Sequence, residues 1–306
     1  MPTIITRGAI SAYAMGFGVK ALGNKRAIFG YGTDGTNLFS MTNLVSNAGV
    51  VATDTTGVGT DRYWLAAAGY GTNKAIFGYG GASSSLVSIT NLVSNAGVVA
   101  TDTTGVGSVR YLLAAAGYGT DKAIFGYGQG NSGLTAITNL VSSAGVVATD
   151  TTGVGSAQSG RAAAGYGTDK AIFGYGVYYS VTNLVSNTGV VSTDTTGVGT
   201  QRTQLAAAGY GTDKALFGYG YASAASSITN LVSNTGVVSA NTTGVGTARR
   251  SLAAAGYGTD KAIFGYGLTG ASVSMTNLVS NTGVVATDTT GVGTARYGPA
   301  AAAYGS

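Results

Sequence analysis

In the stretch Lys74-Ala-Ile-Phe-Gly-Tyr-Gly80, Ala75, Phe77 and Tyr79 alternate with Ile76 and Gly78, the period-two pattern of a β-strand. Its centre, Ala-Ile/Leu-Phe-Gly-Tyr-Gly, occurs six times, with Phe at 29, 77, 125, 173, 217 and 264. The spacings of 48, 48, 48, 44 and 47 residues define a tandem repeat.

Each repeat reads as four short strands. Strand A is Leu65-Ala-Ala-Ala-Gly-Tyr-Gly71, and Thr72-Asn73 turns the chain into strand B, the stretch quoted above. Strand C is Ser88-Ile-Thr-Asn-Leu-Val-Ser94, closed by the turn Asn95-Ala96-Gly97. Strand D is Val98-Val-Ala-Thr-Asp-Thr103, closed by Thr104-Gly-Val-Gly107. No segment has a helical period with caps. A second signature, Thr-Asn-Leu-Val-Ser, begins at Thr42, Thr90, Thr138, Thr182, Thr229 and Thr276. From each of these to the next Phe the step is always 35 residues, whereas the step from Phe to the next Thr-Asn ranges from 9 to 13. One B–C loop per repeat therefore absorbs all the length variation.

This pattern predicts an all-β fold, a six-bladed β-propeller with four antiparallel strands per blade. The rival architecture is a stacked β-solenoid, whose coils use fewer residues and no hairpin at every corner. The C-terminal Arg296-Tyr-Gly-Pro-Ala-Ala-Ala-Ala-Tyr-Gly305 matches the start of a further repeat. Residues 299–305 are thus expected to supply strand A of the first blade and close the ring, protecting both sheet edges. That division leaves residues 1–20 as an N-terminal arm and 21–306 as the propeller. The competing assignment gives strand A of the first blade to Ala12-Tyr-Ala-Met-Gly-Phe-Gly18.

Composition narrows the chemistry. The 306 residues include 52 Gly, two Pro, no Cys and no His, and all eleven acids are Asp. Imidazole bases, thiolate nucleophiles and His or Cys metal sites are excluded, and no disulfide staples the chain. The formal charge of +5 comes without a basic run, the only adjacent pairs being Lys25-Arg26 and Arg249-Arg250. The N-terminus lacks the continuous apolar core of a signal peptide, and no stretch approaches a membrane helix of ~20 apolar residues. No cofactor, nucleic acid or membrane span is expected.

The repeat resembles kelch on Arg62, then Ala66-Ala67-Ala68, then Ala75-Ile76-Phe77-Gly78-Tyr79-Gly80, then Asp102 and Val106. The resemblance covers residues 24–305. Gly-Tyr-Gly replaces the family's Gly-Gly pair, and Val replaces the second-half Trp. Kelch-like propellers are mostly interaction or carbohydrate-related modules, some of them enzymes, so the resemblance implies a fold more than a function. The opening Thr6-Arg7-Gly8-Ala9-Ile10-Ser11-Ala12 is similar to the starts of some tailed-phage structural proteins.

The repeats also compare themselves. A–B and C–D turns are nearly constant, whereas B–C loops differ throughout, from Gly81-Ala-Ser-Ser-Ser-Leu-Val87 to Val177-Tyr-Tyr179. The D-to-A crossovers vary at Tyr63-Trp64, Tyr111-Leu112, Ser159-Gly160, Thr203-Gln204, Arg250-Ser251 and Tyr297-Gly298. In a propeller both variable segments fall on one face, a constant frame carrying divergent loops. The expected partner-binding residues are Tyr63, Trp64, Tyr111, Tyr178, Tyr179, Tyr221, Arg250 and Tyr297, of the types that anchor interfaces and stack on sugars. The recurrent Arg62, Arg110, Arg202, Arg249 and Arg296 (Gln158 in the third repeat) follow Asp54, Asp102, Asp194, Asn241 and Asp288 by eight residues. They are expected to form a structural Asp–Arg pair in each blade, or else a ring around the channel mouth that binds an anion. Asp121, Asp169, Asp213 and Asp260 read as turn formers.

The expected function is a non-enzymatic binding or structural propeller, an adhesin of a virion or extracellular surface that contacts a glycan or protein. Residues 1–20 would then meet other virion proteins. The alternative is a scaffold subunit packing against copies of itself. A glycan-active enzyme has little support in the residue inventory.

Overall fold

The computed structural model describes residues 25–305. The N-terminal arm and the segment 12–18 lie outside the described residues. The fold is all-β: six three-stranded antiparallel sheets and one two-stranded ribbon. The first sheet joins β1 (Arg26–Thr33), β2 (Leu38–Val45) and β20 (Ala300–Tyr304). The second is β3 (Ala66–Tyr70), β4 (Lys74–Gly78) and β5 (Thr90–Val93). The third holds β6 (Ala114–Tyr118), β7 (Lys122–Gly126) and β10 (Thr138–Val141), with the ribbon β8 (Gln129–Gly130) and β9 (Gly133–Leu134) in its loop. The fourth is β11 (Ala162–Tyr166), β12 (Lys170–Gly174) and β13 (Thr182–Val185). The fifth is β14 (Ala206–Tyr210), β15 (Lys214–Gly218) and β16 (Thr229–Val232), and the sixth β17 (Ala253–Tyr257), β18 (Lys261–Gly265) and β19 (Thr276–Val279).

Segments A, B and C thus form strands where the alternation places them. Residues 299–305 supply the missing inner strand: β20 pairs with β1 from Arg26↔Tyr304 to Gly30↔Ala300. The edge of β1 that the competing assignment gave to residues 12–18 is therefore occupied.

Segment D departs from expectation. It is not a fourth strand but touches strand C at two isolated bridges per repeat, such as Val93↔Val99 and Thr90↔Thr103. The physical reason is a side chain. Between the two bridges, Asn91 Nδ2 donates to the Ala100 carbonyl at 3.0 Å and to Asp102 Oδ1 at 2.8 Å. The Asn amide thereby draws segment D away from a continuous ladder. Asp102 is then turned toward the previous repeat, where it accepts from Thr60 N and Oγ1.

The core lies between successive sheets. Ala66, Ala68, Tyr70, Ile76 and Tyr79 of the second sheet pack on Leu113, Ala123, Phe125 and Val141 of the third. Gly78 is required by close approach: a Cβ there would stand 2.8 Å from the Phe125 ring. Tyr79 follows in the left-handed region at φ 65, which ends the strand and brings its ring edge-on to Phe125, with centroids 5.2 Å apart. Burial pushes the Tyr79 hydroxyl up to about 12, so it stays protonated and donates to the Val106 carbonyl. Burying each aromatic contributes ~1.5–3 kcal/mol, and each edge-to-face pair ~0.5–1.5 kcal/mol beyond that. The same Tyr–Phe contact recurs from each sheet to the next, and Tyr266 of the sixth sheet meets Phe29 of the first at 5.2 Å. The Ala-rich inner strands neighbour one another in the same cyclic order, β20, β3, β6, β11, β14, β17 and back to β20.

Candidate functional site

Two ends of this cycle differ in chemistry. At one end the crossovers meet the starts of the B–C loops, through bridges such as Tyr63↔Gly81, Tyr111↔Gln129, Thr203↔Tyr221 and Arg250↔Leu268, and in the third repeat through Val177 N donating to Ser159 O. The variable crossovers and variable loops are therefore neighbours. At the other end A–B turns meet C–D turns of the next repeat: a Cβ on Gly71 would lie 3.0 Å from the Ser143 carbonyl.

At the variable end, the second residue of each crossover sits at the centre. Trp64, Leu112, Gly160, Gln204, Ser251 and Gly298 line a small mouth of about 70 Å³. Their backbones form a closed ring of hydrogen bonds: Trp64 N donates to Gly298 O (2.8 Å), Leu112 N to Trp64 O (2.9 Å), and so on through Gly160, Gln204 and Ser251 to Gly298 N. All six have positive φ, between 49° and 64°, four of them without being glycine.

The eight expected site residues fall into three groups. Tyr63, Trp64, Tyr111 and Tyr297 come together, with Trp64 4.7, 5.6 and 6.5 Å from the three tyrosine rings. Burial, with Tyr111 and Tyr297 close by, holds the Tyr63 hydroxyl above the ordinary tyrosine value. The Trp64 indole N–H is buried without a protein acceptor among the described residues. A second group is Arg250 over the Tyr221 ring, 4.6 Å from its centroid. The third is the pair Tyr178 and Tyr179, 63% and 53% exposed. Sequence reasoning did not single out Gln204 and Ser251, which are joined at the mouth by a 2.8 Å hydrogen bond. Their variability within otherwise fixed crossovers was the available signal.

The recurrent arginines are not an anion-binding ring. Arg62, Arg110, Arg202, Arg249 and Arg296 are fully buried, and each leans over the Tyr ring of the preceding repeat at 4.1–4.6 Å. Arg249, for example, donates to Tyr266 O, Thr247 O and Asn277 Oδ1. Nor do they pair with the Asp eight residues earlier. The close carboxylates belong to the following sheet: Arg110–Asp150 at 3.9 Å, Arg249–Asp288 at 3.8 Å and Arg296–Asp54 at 3.7 Å. The eight-residue spacing is coincidental because segment D ends one sheet and the Arg docks on the next. Burial opposes ionisation of Asp288, but hydrogen bonds from Thr247 and Asn277 outweigh it and hold the carboxyl below its ordinary value.

The third repeat solves the same packing differently. Gln158 stands where the others have Arg, and Arg161 stands where four others have Leu. The Arg161 guanidinium fills the slot over Tyr127 at 4.0 Å. Its Nε and Nη1, together with Gln158 Nε2 and Asn183 Oδ1, lack protein partners among the described residues. The exchange Gln158→Arg with Arg161→Leu restores the standard network. It is expected to stabilise the fold by about 1–3 kcal/mol in urea unfolding, net of the two backbone N–H groups of Tyr178 and Tyr179 that Gln158 now accepts from. A less stable double variant would show that the unpaired atoms carry no penalty.

No group of three or more His, Cys, Asp or Glu side chains is gathered among the described residues. No described helix is long and apolar enough to cross a membrane. No protein-family model and no curated protein matches the chain.

Proposed function

We propose that the six sheets are the blades of a six-bladed, kelch-like propeller acting as a non-enzymatic adhesin of a virion or other extracellular surface. It engages a glycan or protein through the variable end. The closed hydrogen-bond ring and the Tyr266–Phe29 contact support a propeller over a solenoid, whose first and last coils would not meet.

The observation that carries the binding reading is the mouth itself. Trp64, Leu112, Gln204 and Ser251 hold left-handed backbone at four of six equivalent positions, where Gly160 and Gly298 show that glycine fits. A side chain there costs ~1–2 kcal/mol, an expense that folding does not require. Retaining it at four positions, each with a different side chain, suits a surface tuned for contact. The aromatic group about Trp64 presents flat rings of the kind that stack on sugars.

Glycan-array and cell-binding assays test this with the variants Trp64→Ala and Tyr179→Ala. The expected result is at least a tenfold loss of binding with an unchanged circular dichroism spectrum. Binding indifferent to both substitutions sinks the adhesin reading. The scaffold reading draws on a different feature, six equivalent valines (Val50, Val98, Val146, Val190, Val237 and Val284) that are 65–67% exposed at the constant end. A mass in solution above that of one chain, with no glycan bound, favours it.

A further inference from the structure

All six lysines among the described residues, Lys25, Lys74, Lys122, Lys170, Lys214 and Lys261, line a single cavity at the constant end. Its volume is about 280 Å³. Lys74, Lys122, Lys170, Lys214 and Lys261 each open strand B of their repeat directly after the A–B turn, and Lys25 immediately precedes β1. The backbone closes a second ring here: Gly71 N donates to Asp121 O, Gly119 N to Asp169 O, Gly258 N to Lys25 O and Gly305 N to Asn73 O, each at 2.7–2.8 Å. The lysines are thereby spaced round one rim.

We infer that this lysine-lined cavity is a binding site for a compact phosphate-rich anion of the tripolyphosphate or inositol-polyphosphate kind. Three features carry the assignment. First, the charge is concentrated and incompletely balanced. The turn aspartates number four (Asp121, Asp169, Asp213 and Asp260), against five turn lysines, Lys74 following Asn73 instead. The ion pairs they make are exposed: Lys122–Asp121 at 3.2 Å, Lys170–Asp169 at 3.5 Å and Lys214–Asp213 at 2.8 Å, with lysine side chains 44–46% accessible. Such pairs are weak and yield readily to a polyvalent anion. Lysine ammoniums act as point charges with three donors each, which suits phosphate oxygens approached from several directions.

Second, the turns keep strain at the rim. Thr72, Thr120, Thr168 and Thr212 line the cavity with φ of 66–72°. A β-branched residue in this region is an outlier, and Asn or Gly would occupy it with less strain. Threonine stands at five equivalent positions, Thr259 being the fifth, and keeps hydroxyl donors beside the lysines. Third, the cavity falls just below the ~300–1,000 Å³ of drug-sized sites. A compact anion bearing several charges fits it, whereas a monovalent anion engages one or two lysines at a time. The site is at the opposite end from Trp64 and is independent of the adhesin reading.

The test is calorimetric titration of the full chain with sodium tripolyphosphate in low salt. One anion is expected per chain, with affinity falling as salt is raised. The triple variant Lys74→Gln, Lys170→Gln, Lys261→Gln is expected to lower affinity about tenfold or more, and the matching Lys→Arg triple to retain it. Should the Gln triple not fold, Lys74→Gln and Lys261→Gln alone, each expected to weaken binding about threefold, decide the matter. Absence of saturable binding, or binding unchanged in the Gln variants, overturns the assignment.

Discussion

Arg249→Ala is expected to lower the unfolding free energy by about 3–5 kcal/mol, a large share of the ~5–15 kcal/mol available to a domain. The guanidinium is fully buried, and each of its three nitrogens donates, at 2.9, 3.2 and 2.6 Å, to Tyr266 O, Thr247 O and Asn277 Oδ1. It also lies 4.4 Å from the centroid of the Tyr219 ring in the preceding sheet. One side chain therefore ties two sheets and the crossover between them. Removing it leaves two buried acceptors and the part-buried Thr247 carbonyl without this donor and opens a cavity beside Tyr219. Arg249→Lys is expected to recover less than half of the loss, because a single ammonium does not span three diverging acceptors. Urea unfolding measures both. A loss under about 1 kcal/mol for the Ala variant would show that water satisfies the acceptors and that the network is dispensable.

These arginines mark the boundary of what the amino-acid string makes legible. Strands A, B and C are readable because their side chains obey local rules: alternation in Ala75–Tyr79, turn chemistry at Asn95–Gly97, small residues in Ala66–Ala68. Closure by residues 299–305 is readable because the repeat pattern resumes there without a following strand B. Segment D is misread because its residues have strand propensity, while its ladder is broken from outside by the Asn91 amide. The Arg partners are misread for a related reason. The eight-residue spacing from Asn241 to Arg249 spans a change of sheet, whereas the carboxylate that Arg249 meets, Asp288, lies 39 positions later at the end of the sheet on which the arginine docks. The lysines at the constant end escape notice because a residue repeated in every copy looks like part of the frame. Only the cyclic arrangement gathers the six into one cavity.

Deleting residues 296–306 is expected to cost about 5–10 kcal/mol, enough to abolish the cooperative unfolding transition. β20 pairs with β1 over five positions, and Ala300, Ala302 and Tyr304 pack with Ile28, Tyr31, Leu65, Ala75 and Phe77. Gly305 N also donates to Asn73 O, joining the first sheet to the second at the constant end. Without the strand, the edge of β1 is an unpaired row of N–H and C=O groups, so the truncated chain is expected to associate through it. A synthetic peptide of residues 296–305 added in trans should restore the monomeric, cooperatively unfolding protein. The peptide carries Arg296, which bonds to Tyr31 O, Thr294 O and Asn43 Oδ1 and stacks on Tyr266. An Arg296→Ala peptide should therefore rescue poorly, although it contains the whole of β20. Near-ultraviolet circular dichroism and light scattering read both effects. A truncated chain that keeps the full-length urea midpoint would mean that the cycle does not depend on its last strand, and that each sheet stands on contacts to one neighbour alone.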